Sequence, residues 1–442
     1  MFRPSIVLLL FSLKALTNVT PFPLSSNHRS FITMKKSSSI SLKQSQQSSS
    51  SSTNENDSIT GTCTSTKTSL SDLIPHNQTK QQTEWSSMKS FLQKSLASPS
   101  DLCPEEPTST NPKLAKDVMY AKAVLETWKQ EVDDSFAKEK ETIGASFPYI
   151  RTSDESTLNG YTVINADLIK GDDKKVPAVI LFHTGAGPQD VFLRWKADML
   201  ARDPMWGDDN GDNKNNNGCV VLIADIVGDS TGWTWTDRDR YDDTRKKVLQ
   251  RTVQEHEHSH SHENENGPIE IIAQRWKLRE TVAAAVQALK NIQEVDDQNI
   301  AAMGWCLGGH PVLELGRMKL DGVHTLVTFH GVFDGIKDDI DINTSISMSG
   351  LGTETAKGQR QNCVLICNGK LDPFVSRKNL EIGKKTFEGH SWNINILDFE
   401  DVKHGFTNPA QDYNPSDAFS FNEKASGTSW DAAKQLLKKQ LL

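Results

Sequence analysis

The sequence predicts an α/β protein: a mostly parallel sheet with helices on both faces. Two observations carry this. From about residue 146 onward, short apolar runs of strand type alternate with segments whose apolar residues recur every three or four positions. The run Pro177-Ala178-Val179-Ile180-Leu181-Phe182-His183 is apolar without alternation, the pattern of a strand buried on both faces. Strands separated by helices imply right-handed crossovers, and such sheets bind ligands beyond the carboxyl ends of their strands.

In chain order, Tyr149-Ile150-Arg151 and Gly160-Tyr161-Thr162-Val163-Ile164 read as a leading hairpin. The buried run from Pro177 ends at Thr184-Gly185-Ala186-Gly187-Pro188, and a helix follows through Phe192, Trp195, Ala197 and Leu200. Next come a strand over Cys219–Ile226, a long polar excursion and a helix over Ile269–Ile292. Ile300-Ala301-Ala302 leads into Met303-Gly304-Trp305-Cys306-Leu307-Gly308-Gly309, read as strand, tight turn and helix. Strands at Val323–Phe329, Cys363–Cys367 and Asn393–Phe399 follow, with helices at Val375–Phe387 and Asp431–Leu441.

Ahead of this region lie three others. Residues 1–23 look like a signal: a basic start at Arg3, an apolar core Ile6–Phe11 too short to span a bilayer, and Thr20-Pro21-Phe22-Pro23 near a cleavage point. Residues 24–100 are Ser-rich and basic at first, with Glu55 the first acidic residue, the composition of an organelle transit peptide and of disorder. Signal followed by transit is the pattern of a bipartite plastid leader; plain secretion is the alternative. Residues 101–145 form a helical extension in which Leu114, Val118, Ala121, Val124, Leu125 and Trp128 share a face. The fourth region, 146–442, holds the sheet.

Net charge −8 and the lack of a basic stripe with interleaved aromatics exclude nucleic acid as the main partner. No later stretch is apolar for eighteen residues, so no membrane span is expected. Six cysteines are too few for a disulfide scaffold, and Cys219, Cys363 and Cys367 read as small core residues. No metal is expected: 207–218 reads as a solvated loop and the His-rich tract 254–266 as a polar insertion.

The chemistry centres on Cys306. Gly304 and Gly308 flank it at the spacing of the G-x-S-x-G nucleophile elbow, where small neighbours let a strained turn lift one side chain above the sheet. A buried structural thiol is the plain alternative. An unperturbed thiol titrates near ~8.5, so a nucleophile needs a base and the base an orienting group. Asp372 follows the strand at Cys363–Cys367, and His404 follows the strand at Asn393–Phe399. Alone, Asp372 reads equally well as a helix cap and His404 as a loop histidine. Together, three chemically apt residues fall at three strand ends in the order Cys, Asp, His. The Leu307 N–H at the helix start and the Thr184 N–H are the expected oxyanion donors.

Gly304-Trp305-Cys306-Leu307-Gly308-Gly309, Gly369-Lys370-Leu371-Asp372-Pro373-Phe374-Val375 and His404-Gly405-Phe406 resemble the dienelactone hydrolase family. The resemblance covers about 146 to 442 and implies an α/β-hydrolase fold, no cofactor and cleavage of a small ester or lactone. It implies Cys306 as nucleophile, His404 as base and Asp372 as its orienter. Trp305, Phe374 and Phe406, with Trp233, Trp235 and Arg238 of the excursion, are expected to line the substrate pocket; a packed flap that merely covers the sheet ends is the equal alternative for the excursion. Two departures matter. The family carries a glutamate after the histidine of its third-strand loop, where this chain has His183-Thr184; Cys306 is therefore expected to pair directly with His404 at rest. The family's arginine after the catalytic histidine is replaced by Thr407-Asn408-Pro409, so the dienelactone substrate does not carry over. A thioesterase or acyltransferase using the same triad, and a hydrolase-like binding protein without catalysis, are the rival functions.

Overall fold

The structure, a computed structural model, describes residues 67–70, 123–130, 142–170, 175–188, 190–207, 218–228, 238–250, 275–334, 361–414 and 416–442. The chain divides into two units, Met1–Thr62 and Cys63–Leu442, and the described residues all belong to the second. The leader, Trp233, Trp235 and the tract 254–266 lie outside the described residues.

Eight strands form one sheet in the order β1-β2-β4-β3-β5-β6-β7-β8. They are β1 (Thr142–Arg151), β2 (Ser156–Asn165), β3 (Val176–Phe182), β4 (Val220–Ala224), β5 (Val295–Trp305), β6 (Val323–Phe329), β7 (Cys363–Gly369) and β8 (Asn393–Phe399). The hairpin β1–β2 is antiparallel, β2 also runs against β4, and the pairs from β4 to β8 are parallel. β3 lies between β4 and β5, so the chain winds to one side after β3 and to the other after β5. At such a switch point the loops diverge and leave a crevice.

The side-chain period of two splits each central strand between two cores. Ala178, Ile180 and Phe182 of β3 and Ile300 and Ala302 of β5 join one core, completed by α3 (Trp276–Lys290), α4 (Gly309–Met318) and α5 (Arg377–Gly389). Val179, Leu181, Ala301, Met303 and Trp305 join the other, beneath α1 (Val191–Arg202) and α6 (Glu423–Leu441). The latter face also takes the helical segment 123–130, whose Trp128 is buried and donates to Asp198 Oδ2 at 2.7 Å. On the first face Glu314 of α4 is fully buried and meets three guanidinium groups, those of Arg275, Arg279 and Arg317.

The structure differs from expectation in four places. The sheet starts at Thr142, whose hydroxyl donates to Asp198 Oδ1, so a boundary at 146 falls inside β1. Residues 67–70, expected within the disordered region, belong to the domain. Thr68 bridges to Ile292, Ser69 and Leu70 bond the Glu294 carboxylate, and Leu70 is buried in the core. One apolar side chain in a polar stretch suffices when its backbone finds partners. The excursion contains α2 (Arg238–Leu249), a charged helix that buries Val248 and reaches Asp334 through Arg245. Finally, α6 begins at Glu423 instead of Asp431, with the Asn422 side chain capping it at Ala425 N–H. Burial of Ala425, Ser429 and Trp430 overrides the weak helix propensity of Ser426-Gly427-Thr428.

Candidate active site

Cys306 sits where β5 ends, at the switch point. Its φ is +53°, the left-handed region that side chains with a Cβ rarely adopt. Two glycines make the turn possible. A Cβ on Gly304 would lie 2.2 Å from Gly308 O, and one on Gly308 would lie 2.5 Å from Phe182 O. The turn Cys306–Gly308 then feeds α4, so the Leu307 N–H is among the first donors of the helix, those without an intrahelical acceptor. The Cys306 carbonyl accepts from Val332 N–H at 2.9 Å, which fixes the loop after β6 against the elbow.

Asp372 and His404 leave neighbouring strands and are tied by backbone. Lys370 N–H bonds Phe399 O at 2.8 Å and Leu371 N–H bonds Val402 O at 3.0 Å, so the loops after β7 and β8 form one unit. Asp372 Oδ1 accepts from Phe374 N–H at 2.8 Å and Val375 N–H at 3.2 Å. Its Oδ2 accepts from His404 Nδ1–H at 2.6 Å. The helix-cap and orienter readings of this residue therefore coexist, one on each oxygen.

The second partner of the His404 ring is Cys306, and with Nδ1 taken by Asp372 it is Nε2 that faces the sulfur. Burial alone would lower the His404 pKa. The negative charges of Cys306 and Asp372 and the hydrogen bonds to both outweigh it and push the pKa up to about 10. Phe374, Phe419 and His330 surround the ring with centroids 4.9, 5.3 and 4.7 Å away. His330 itself is held neutral by burial and by the charge of His404.

Thr184 follows β3 across the crevice from Cys306. Its hydroxyl accepts from Ala186 N–H at 3.1 Å and donates to Asp190 Oδ2 at 3.3 Å, while Asp190 Oδ1 caps α1 at Phe192 N–H. Burial raises the Asp190 carboxyl to about 6. His183 bonds the Thr184 carbonyl at 2.7 Å and is kept neutral by burial, a structural arrangement.

A cleft of about 760 Å³, counting the space at its mouth, opens over these residues. Cys306, His404, Thr184 and Phe374 line it, as do Phe192, His330, Asn408, Gln411 and Phe419, which the sequence did not single out. Only the position of His330 just past β6 and those of Asn408 and Gln411 within a few residues of His404 hinted at them, and nothing local pointed to Phe192 or Phe419. Two expected wall residues are core residues instead. Trp305 is fully buried, stacked on Phe329 at 4.9 Å and edge-on to Phe192, because its side chain points to the face opposite the crevice turn. Phe406 is likewise buried, against Phe399 and His330. Arg238 opens α2, and its side chain, like Trp233 and Trp235, lies outside the described residues. Among the described residues no group of three His, Cys, Asp or Glu side chains is placed to hold a metal ion. Among them, too, no helix is long and apolar enough to cross a membrane.

A mostly parallel sheet with helices on both faces and a crevice at the switch point is the α/β-hydrolase architecture. The family model of the dienelactone hydrolase family matches residues 210–441, just over half of the chain, and the chain belongs to that family. It is a dienelactone hydrolase-like carboxylic ester hydrolase. A relative is the uncharacterized protein K02A2.1 of Caenorhabditis elegans, 25% identical over 162 residues, which are 37% of this chain and 93% of that protein. Similar solved structures include m3DLH, at 20% identity and a TM-score of 0.48, covering 68% of this chain and 99% of that one. The dienelactone hydrolase-like promiscuous phosphotriesterase P91 from metagenomic libraries is 21% identical with a TM-score of 0.47, over 68% of this chain and 99% of that one.

Proposed function

We propose that the ester substrate is cleaved by a Cys306 thiolate through an acyl-enzyme. The observation that supports this best is the His404 ring held between Asp372 and Cys306 at the mouth of the cleft. The ring's hydrogen bond to the sulfur lets His404 draw the proton from Cys306 as the nucleophile forms, and a histidine pushed up to about 10 holds that proton until the leaving group needs it. The absence of a glutamate beside Thr184 supports the same direct pairing of Cys306 with His404.

Each step follows from that pair. The thiolate attacks the carbonyl carbon, a C–S bond forms, and the carbonyl electron pair moves to oxygen. The Leu307 and Thr184 N–H groups hold the resulting oxyanion. As the tetrahedral intermediate collapses, the C–O bond breaks and His404 Nε2–H gives its proton to the leaving alkoxide. The neutral ring then takes a proton from water, the hydroxide attacks the thioester, and the thiolate is expelled with His404 again cationic. Asp372 keeps Nδ1–H fixed and stabilises that cation throughout.

Intact-mass analysis after mixing with an activated aryl ester tests the assignment. The native chain gains one acyl mass and Cys306→Ala gains none. Acylation persisting in that variant refutes Cys306 as nucleophile.

A further inference from the structure

We propose that Gln411 determines substrate selectivity: its side-chain NH2 group is a pre-oriented donor for an uncharged acceptor oxygen on the substrate, away from the scissile carbonyl. The inference rests on the ester-hydrolase reading above and names the substrate class of that same site.

The orientation of the amide follows from a donor whose identity is fixed. Ser416 N–H, a backbone group, bonds Asn414 Oδ1 at 3.1 Å. The Asn414 oxygen therefore faces Ser416, and its Nδ2 faces the other way, where it donates to Gln411 Oε1 at 2.9 Å. With Oε1 so engaged, Gln411 turns its NH2 group away from Asn414 and along Gly405, the residue after His404. A Cβ on Gly405 would lie 2.8 Å from the Gln411 Cγ and 3.4 Å from its Nε2, and Gly405 adopts a φ of +73°. The turn Pro409–Tyr413, capped by Asn408, fixes the glutamine backbone, with Gln411 N–H donating to Asn408 O at 3.0 Å. Gln411 is half-buried, its NH2 group has no acceptor among the described residues, and the side chain lines the cleft that holds Cys306 and His404.

A neutral amide suits a carbonyl, ether or hydroxyl oxygen. A carboxylate would lose its hydration for one uncharged donor, which is unfavourable in a partly enclosed site. Among the described residues that line the cleft there is no lysine or arginine to meet it, and the His404 charge is already paired with Asp372.

Two isosteric ester pairs test this: an aryl 3-methoxypropanoate against the aryl pentanoate, and a 2-methoxyethyl against a butyl ester of one acid. Each kcat/KM is divided by the ester's rate of hydroxide hydrolysis. In the native chain at least one methoxy ester is favoured roughly five- to tenfold, the ratio one neutral hydrogen bond produces. Gln411→Leu brings that ratio near one, Gln411→Glu inverts it, and Asn414→Leu, which frees the amide to rotate, gives an intermediate value. The assignment is overturned by a native chain without preference in either pair, by Gln411→Leu keeping the native ratio, or by preference for an aryl hemisuccinate over the methoxy esters. A native chain that cleaves none of these esters defeats the ester-hydrolase reading itself, and the selectivity assignment with it.

Discussion

Asp372 Oδ2 and His404 Nδ1 lie 2.6 Å apart, although 32 residues separate them in the chain. The contact exists because β7 and β8 are parallel neighbours whose outgoing loops are hydrogen-bonded to each other, leaving carboxylate and imidazole little freedom to separate. The same Asp372 closes the start of its own loop through Oδ1, so its rotamer is fixed from two directions. Such rigidity is what general-acid and general-base work requires of an orienting group.

Asp372→Asn keeps an acceptor for Phe374 N–H and Val375 N–H but turns an amide toward His404. The fold is expected to survive while kcat falls about 10³- to 10⁴-fold. Circular dichroism and single-turnover kinetics check the two halves of this statement, and a fall of less than tenfold contradicts the role given to the carboxylate.

The elbow glycines make a paired prediction. Gly304→Ala forces a methyl group against the Gly308 carbonyl and is expected to cost about 1–3 kcal/mol. Gly427→Ala, inside α6 where a Cβ meets nothing within 4 Å, is expected to stabilise by about 0.5–1 kcal/mol. Urea denaturation of both variants provides the measurement, and equal shifts would show that the elbow is not tightly packed.

Asp190 supplies a pH dependence. Its folded pKa, about 6, is raised above the usual value of 3.8 by burial, so the folded state binds the proton more tightly. The stabilisation this gives is complete below 3.8 and is lost as pH rises through about 6. Asp190→Asn, which preserves the helix cap, should therefore gain on the native chain between pH 4 and pH 8 by on the order of 2 kcal/mol. Denaturation at the two pH values tests this; a stability difference that does not change with pH would contradict the shift.

The leader yields a prediction of address. A fluorescent protein fused after residue 100 is expected to enter a plastid, whereas fusion to residues 24–100 alone, without the signal, should leave it outside the secretory route. Microscopy of both fusions decides, and secretion of the first favours the alternative of simple export.

The sequence by itself determined the class of fold, most of its elements and the three strand ends bearing Cys306, Asp372 and His404. These depend on local signals: uninterrupted apolar runs, glycines that permit a strained turn, and the order of chemical groups along the chain. Only the tertiary structure decided which aromatic side chains face the cleft. Trp305 and Cys306 are adjacent in sequence, yet one is buried in the core and the other emerges on the crevice side, because the backbone reverses hand between them. The apolar spacing around Trp128 already announced a helix face that packs on the domain, whereas tertiary structure alone recruited Leu70 to the core, extended α6 across Gly427, and set Gln411 beside Gly405. Those placements follow from burial and hydrogen bonds between residues distant in the chain, and local composition carries no record of them.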